Sequence, residues 1–372
     1  FQPLLYQVAT AGLSAPDIAA PLRHILRKQA NATVRLDEVR AIDIGARRVD
    51  LAQGQLHYDY LLVATGSTHA YFGRDDWAQF APGLKTLDDA LSIRARVLSA
   101  FEAAEREDDP SRRAAVVIGG GPTGVELAGT LAEIARHTLP REFRRADVRD
   151  ARIHLVEAGP RVLAAMPEDL SEKTRQQLQR LGVQVHTGNA VTAIDAEGIT
   201  LAGERLASRT ALWAGVAASP LGKQLGLATD RAGRVPVSAD LSLPGHPEVF
   251  VVGDLASVTQ DGKPVPGVAP AAKQMGAHAA AVIRDRLRGV AGKPFRYRDY
   301  GNLATIGRMA AVVHFGRLKL SGLLAWWFWL VAHLFFLIGF RNRIIVLTNW
   351  AWSYWTYQRH ARIIVGRSPP DD

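Results

Sequence analysis

Cysteine is absent from all 372 residues. That excludes disulfide scaffolds, thiolate zinc sites, iron–sulfur clusters and any Cys-x-x-Cys redox pair, and no metal site is expected. Acidic residues are missing from the whole stretch Tyr300–Pro370, which carries eight basic side chains: Arg308, Arg317, Lys319, Arg341, Arg343, Arg359, Arg362 and Arg367. A tail of one sign points to an anionic partner, nucleic acid or acidic lipid. Six of the eight Trp lie between Trp326 and Trp355, beside long aliphatic runs. That suits a lipid boundary and not a duplex groove, so a membrane lipid surface is expected and nucleic acid is not. An initiator Met and a signal-peptide pattern are also lacking. The chain opens on Phe1 in a mixed apolar segment, as a cut sequence does.

What is present is a folded protein, 48% hydrophobic and 22% charged, with a formal net charge of +9. Its length allows two or three domains. A helix is expected over Asp17–Lys28, followed by β-like runs at Thr33–Ile44, Arg47–Leu51, Gln55–Tyr58 and Tyr60–Thr65. The last, in YLLVATG, reads as a buried strand ending at Thr65 and Gly66. A helix over Leu87–Glu107 leads to a boundary marked by Asp108, Asp109, Pro110 and Ser111. Then come strand Ala114–Ile118, a glycine turn, helix Thr123–His137, strand Arg152–Glu157, helix Glu168–Leu181 and strand Val183–His186. This alternation specifies an α/β fold with a parallel sheet and crossover helices. Val249–Val252 is a further buried strand and Ala269–Arg286 a further helix.

The strongest motif is GGGPTGVE, in which Gly119, Gly121 and Gly124 form a GxGxxG fingerprint after the apolar strand AAVVI. The first glycine permits a tight turn, the second lets backbone approach a pyrophosphate and the third lets helix and strand pack closely. The helix N-terminus faces the anion. Glu157 ends the next strand, where a carboxylate accepts hydrogen bonds from an adenosine ribose and repels a 2′-phosphate, favouring NADH over NADPH. Its distance in sequence from Gly124 is long because Arg141–Ala151 is inserted. Glu126, read as standing in the first helical turn, is either a plain complement to the helix dipole or a catalytic or positioning group. Gly253 and Asp254 follow the buried strand VFVV, placing a carboxylate at a strand end where ligands bind.

These segments together resemble the type II NADH:quinone dehydrogenases. The resemblance is carried by FQPLLYQVATAGLS, YDYLLVATG, GGGPTGVELAG, HLVEAGPRVL, VFVVGDLA, VPGVAPAAKQMG, GNLATIGR and the tail FLIGFRNRIIVLTNWAWSYWTYQR. It runs from Phe1 to about Gly366. It implies two Rossmann-like dinucleotide-binding domains, the first incomplete because its own glycine fingerprint would precede Phe1, plus an amphipathic helical anchoring region. The FAD-binding domain would comprise residues 1–86 and 236–315, the NADH-binding domain 87–235 and the anchor 316–372.

By the same resemblance, Gly119–Glu126 and Glu157 bind NADH. Val39, Thr65, Gly66, Gly253, Asp254, Ala272 and Lys273 bind FAD, with Asp254 on the ribityl chain and the Ala272–Lys273 helix end near the flavin ring. Gln274 lines a quinone pocket, and Glu126 lies between the nicotinamide and quinone sites. Pro270 stands where many members have a glutamine, and WAGV at Trp213–Val216 is one small residue short of the family pattern. The implied protein is a homodimer, monotopic on the cytoplasmic face of a bacterial inner membrane, that passes electrons from NADH through FAD to quinone without pumping protons. Two other readings remain open: a same-fold reductase with a soluble acceptor, and a non-catalytic dinucleotide-binding remnant.

The tail poses its own question. Leu320–Phe340 holds 21 residues without a formal charge, about 31 Å as a helix and long enough to span a bilayer core. Against spanning, Trp326, Trp327, Trp329 and His333 sit inside the run, whereas Trp prefers the headgroup boundary. Further on, Trp350, Tyr354, Tyr357, Ala361 and Ile364 share one helical face, with Arg359 and Arg362 elsewhere around the helix. An in-plane anchor is expected, with packing of these aromatics on the folded body as the alternative.

Overall fold

The computed structural model describes residues 1–107 and 109–364; Asp108 of the boundary signal and Arg367 of the basic tail lie outside them. Two compact units result. One comprises Phe1–Lys28, Tyr71–Gly215 and Gly301–Asp372, the other Gln29–Ala70 and Val216–Tyr300. These boundaries differ from the expected ones at both ends of the chain. Leu5–Ala9, a short apolar helix, buries Leu5, Tyr6, Val8 and Ala9 against the helices Leu87–Arg106 and Pro122–Glu133. Apolar burial, not sequence proximity, thus assigns residues 1–28 to the first unit.

The first unit is built on a four-stranded parallel sheet in the order Thr210–Trp213, Ala114–Ile118, Arg152–Glu157, Val183–Thr187. Ala114–Ile118 is buried at every residue, as a central parallel strand covered on both faces must be. The crossover helices fall at Pro122–Glu133 and Glu168–Arg180. The first of these ends in a π-helical turn over Ile134–Thr138. An antiparallel meander of Asn302–Gly307, Ala310–Phe315 and Leu318–Ser321 packs against Pro122–Glu133, hereafter the glycine helix.

Gly129 makes that packing possible. A Cβ there would overlap the backbone carbonyl oxygen of Ile306, and a backbone oxygen cannot step aside as a side chain can. Gly129→Ala should therefore cost about 1–3 kcal/mol through overpacking, read as a lower midpoint in urea unfolding.

The second unit holds a meander of Val39–Asp43, Arg48–Leu51 and Gly54–His57. Its other main sheet pairs His246–Val251 in parallel with Leu61–Val63 and antiparallel with Ser242–Leu243. Behind it lies the helix Ala269–Leu287. The helix expected over Asp17–Lys28 is instead two short pieces, Ala15–Ile18 and Leu22–Leu26. Pro21 separates them and holds its predecessor out of the helical region.

The long uncharged run does not form one helix. Its first residues end the meander strand Leu318–Ser321, Leu323–Phe336 is helical, and the chain breaks at Leu337–Gly339 before a second helix, Phe340–Thr356. Gly339 adopts φ +88°, outside the helical region. Fourteen residues reach about 21 Å, short of the ~30 Å core, and no helix among the described residues is long and apolar enough to cross a membrane.

Candidate functional site

The glycine loop is shaped as its sequence requires. Gly119 has φ +116°, and a Cβ at Gly124 would overlap the Gly119 carbonyl oxygen. A Cβ at Gly121 would meet nothing within 4 Å, so open space lies at the N-cap of the glycine helix, where a pyrophosphate approaches. Glu157 is brought directly to this loop: its carboxylate accepts the Gly120 and Gly159 amides, each at 2.6 Å. The residues fit a dinucleotide, with the acid held at the loop edge where a ribose hydroxyl belongs. Arg161, the nearby cation in sequence, spends its guanidinium on the Met166 and Ala164 carbonyls. Gly120 is a participant that the fingerprint omits, since a Cβ there would meet Glu157 at 2.9 Å.

Glu126 is not in the first turn. The glycine helix starts at Pro122 and has no acid in that turn; Glu126 lies further along, buried, facing Tyr6 and the strand Asn302–Gly307 instead of the phosphate end. Burial holds its carboxyl well above the usual carboxylate range, opposed only by a hydrogen bond from the Thr305 amide. Burial, reinforced by Glu126, likewise raises the Tyr6 phenol. Seven residues on, two helical turns along the same face, Glu133 accepts the Arg308 amide and pairs with the Arg359 guanidinium at 3.3 Å. The two acids thus take amides from either end of one bulged strand segment, whose register shifts between Thr305 and Gly307. Tyr6, Glu133 and Thr305 were not singled out from sequence, and Arg359 was read only as a cation of the basic tail. Acids at positions 126 and 133 of an otherwise apolar helix were the available signal.

The second unit gathers the other set. Asp254 follows the strand His246–Val251 in a short turn and accepts the Ser67 hydroxyl at 2.8 Å. Gly253, at φ +72°, faces Ala272, whose Cβ is 3.4 Å from where a Gly253 Cβ would be. Gly66 (φ +64°) accepts the Ser219 amide just after the strand Leu61–Val63, beside Thr65. Ala272 and Lys273 sit in the first turns of Ala269–Leu287, where Pro270 occupies a position that needs no amide donor. Asp254, Ser67, Gly253 and Ala272 therefore converge, a carboxylate beside a helix N-terminus, and these donors and acceptors fit a flavin ribityl chain and ring edge. Val39 begins the meander, paired opposite Leu51. Gln274 is engaged elsewhere: both ends of its amide bond the Arg298 backbone at 2.9 Å.

The tail departs from the expected arrangement in three respects. The face with Trp350 and Tyr354 turns inward: Trp350 stacks on Trp329 at 5.2 Å and donates to Gln7. The second helix ends at Thr356, so Tyr357, Ala361 and Ile364 do not continue it. Arg359 is largely buried, and three other tail cations are spent within the chain. Lys319 pairs with Asp169, Arg362 with Glu142, and Arg343 caps the Phe335 and Leu337 carbonyls. Once folded, therefore, Lys319, Arg359 and Arg362 are matched by acids brought from elsewhere in the chain. Trp329, Leu330 and His333 are buried, and burial pushes His333 down to about 4. The outward stripe is Leu324, Phe328, Val331 and Phe335 on the first tail helix, continued by Phe340, Ile344, Leu347 and Trp355 on the second.

The fold and the two ligand cradles define a pyridine nucleotide-dependent flavoprotein reductase. The chain matches the family described as pyridine nucleotide-disulphide oxidoreductase over residues 1–276 and the NDH2 C-terminal domain over residues 300–357. It is 46% identical over 380 residues to the type II NADH:quinone oxidoreductase Ndh of Mycobacterium tuberculosis, covering 96% of this chain and 81% of that protein. To the type II NADH:quinone oxidoreductase of Staphylococcus haemolyticus it is 28% identical over 314 residues, covering 82% and 77% respectively. The structure of NDH2 from Plasmodium falciparum in complex with NADH shares the fold at TM-score 0.87 and 19% identity, covering 98% of this chain and 92% of that one. The chain belongs to the type II NADH:quinone oxidoreductases.

Proposed function

We propose that this protein oxidises NADH and reduces a membrane quinone, without moving protons across the bilayer. The observation that carries the reading is a buried Glu126, its carboxyl pKa raised by burial, on the same helix whose N-terminus forms the dinucleotide cradle. FAD, when bound, supplies the two-electron relay between NADH and quinone. Gly119, Gly121, Gly124 and Glu157 hold and orient the NADH. Val39, Thr65, Gly66, Gly253, Asp254, Ala272 and Lys273 hold the flavin, with the helix N-terminus at Ala269 favouring negative charge on the ring. Quinone reduction also consumes protons, and burial at Glu126 favours the protonated carboxyl that could supply one. For Gln274 to contact quinone, its amide must give up the Arg298 backbone. In this reading residues 87–235 bind NADH, residues 1–86 with 236–315 contribute to the FAD site and 316–372 anchor, with residues 1–28, 71–86 and 301–315 packing in the same compact unit as the NADH cradle.

The apolar stripe of the two tail helices supports docking on a lipid surface, in plane and not across it. Each inserted large side chain contributes roughly 1.5–3 kcal/mol. Replacing Leu324, Val331 and Phe335 together with serine should therefore release most of the protein from phosphatidylcholine vesicles in co-sedimentation. We further propose a homodimer lying on the cytoplasmic face of a bacterial inner membrane, a reading that the apolar stripe supports for the membrane part alone.

Glu157→Ala should raise the KM for NADH by about tenfold, one to two lost hydrogen bonds, and should narrow the preference over NADPH; steady-state kinetics with both nucleotides read it. The functional reading as a whole is tested on the full protein with NADH and a lipid-dispersed quinone. Absence of flavin absorbance, or turnover with water-soluble acceptors only, would overturn it.

A further inference from the structure

A cavity lies in the first unit, between the N-terminal helix, the glycine helix and the tail. It measures about 110 Å³ and is lined by Tyr6, Glu133, Arg308, Trp329, Tyr354 and Arg359 among others. Its charges do not cancel. Glu133 is shared between the Arg359 guanidinium and the Arg308 amide, leaving the Arg308 guanidinium without a carboxylate among the described residues. That guanidinium is held between the rings of Tyr354 and Tyr357, 4.1 Å from each. Its Nη1 is buried with no hydrogen-bond partner. A buried Arg N–H left unmatched is costly unless a ligand supplies the acceptor.

The wall is built to hold this cation in place. Tyr357 adopts φ +60°, an unusual conformation for a bulky residue, stacks on His137 at 4.8 Å and accepts the Thr138 hydroxyl with its carbonyl. Both contacts come from the π-helical turn Ile134–Thr138, an irregularity often found at functional sites. Three tryptophans, Trp326, Trp329 and Trp350, also line the cavity, and the helices that carry them present their apolar stripe outward. A net positive, aromatic-walled cavity beneath a lipid-facing surface matches an oxyanion attached to an acyl chain.

We propose that this cavity binds the phosphate of an anionic phospholipid headgroup, with Arg308 as its donor. The inference rests on the lipid-surface reading above, but the two fail separately. Docking on phosphatidylcholine vesicles depends on the apolar stripe, whereas headgroup binding depends on Arg308. The test uses the full protein with short-chain, monomeric phosphatidylglycerol, the matching phosphatidylcholine, or inorganic phosphate, and reads the shift in Tm. Phosphatidylglycerol should raise the Tm of the wild type by several degrees and that of Arg308→Gln not at all. Arg341→Gln, which removes an exposed tail cation outside the cavity, should keep the full shift. Arg308→Lys retains charge and should keep part of it, which guards against a Gln variant that merely folds poorly. Equal shifts in wild type and Arg308→Gln would overturn the proposal, as would phosphatidylcholine matching phosphatidylglycerol. Inorganic phosphate alone reproducing the shift would overturn the lipid assignment in favour of a free anion.

Discussion

Glu126→Gln should slow NADH:quinone turnover by roughly 10²–10⁴-fold, the usual contribution of a positioned acid. The substitution keeps the shape and the acceptor oxygen for the Thr305 amide but removes the transferable proton. The loss should be greater with quinone than with ferricyanide, which takes electrons alone. In the wild type, quinone turnover should fall as pH rises through the raised Glu126 pKa, because the protonated form is the donor; the Gln variant should lack that limb. Stability changes in the same sense. A carboxyl whose folded pKa is raised stabilises fully below its unfolded value, and that contribution is lost as pH climbs towards the folded value. Above that window Glu126→Gln should melt no lower than wild type, and higher if the buried charge is costly. Quinone turnover unchanged by the substitution would remove Glu126 from the proton path.

Arg359→Ala should be the most destabilising change in the tail. Its guanidinium pairs with Glu133 where each side chain is only 13% exposed, and it also donates to the Thr10 carbonyl. Removing one partner strands the other charge in a poorly solvated site, at about 3–5 kcal/mol. Burial also lowers the Arg359 pKa, which shows the cost of keeping that charge inside and the need for Glu133. Arg359→Met with Glu133→Gln removes both charges and should recover much of the loss. Thermal denaturation of the single and double variants separates a pairing effect from simple truncation, since truncation alone predicts no recovery.

The parts of this protein that were legible in its sequence share one property: their signal is local. Ala114–Ile118 reads as a central strand because five apolar residues precede a glycine turn, and the structure buries all five. Gly119, Gly121 and Gly124 are recognisable because a tight strand-to-helix turn demands glycine at fixed spacing, and Glu157, displaced by the Arg141–Ala151 insertion, because it ends the next strand. The convergence of Gly253, Asp254 and Ala272 was anticipated only through family likeness. Ser67, which holds Asp254, was not, because nothing about a serine after a glycine announces a partner 187 residues away.

The tail shows where local reading stops. Amphipathic periodicity placed Trp350 and Tyr354 on one face, correctly, but could not say which side that face meets. Composition made the tail uniformly cationic, yet its balancing acids Asp169, Glu142 and Glu133 lie in distant segments. Sequence alone determined a dinucleotide cradle, a parallel sheet and a greasy, basic end. The tertiary structure decided which acid is buried, which cation is spent and which is left over. Those outcomes depend on the dielectric and the partners at each position, and both exist only once remote segments have packed together.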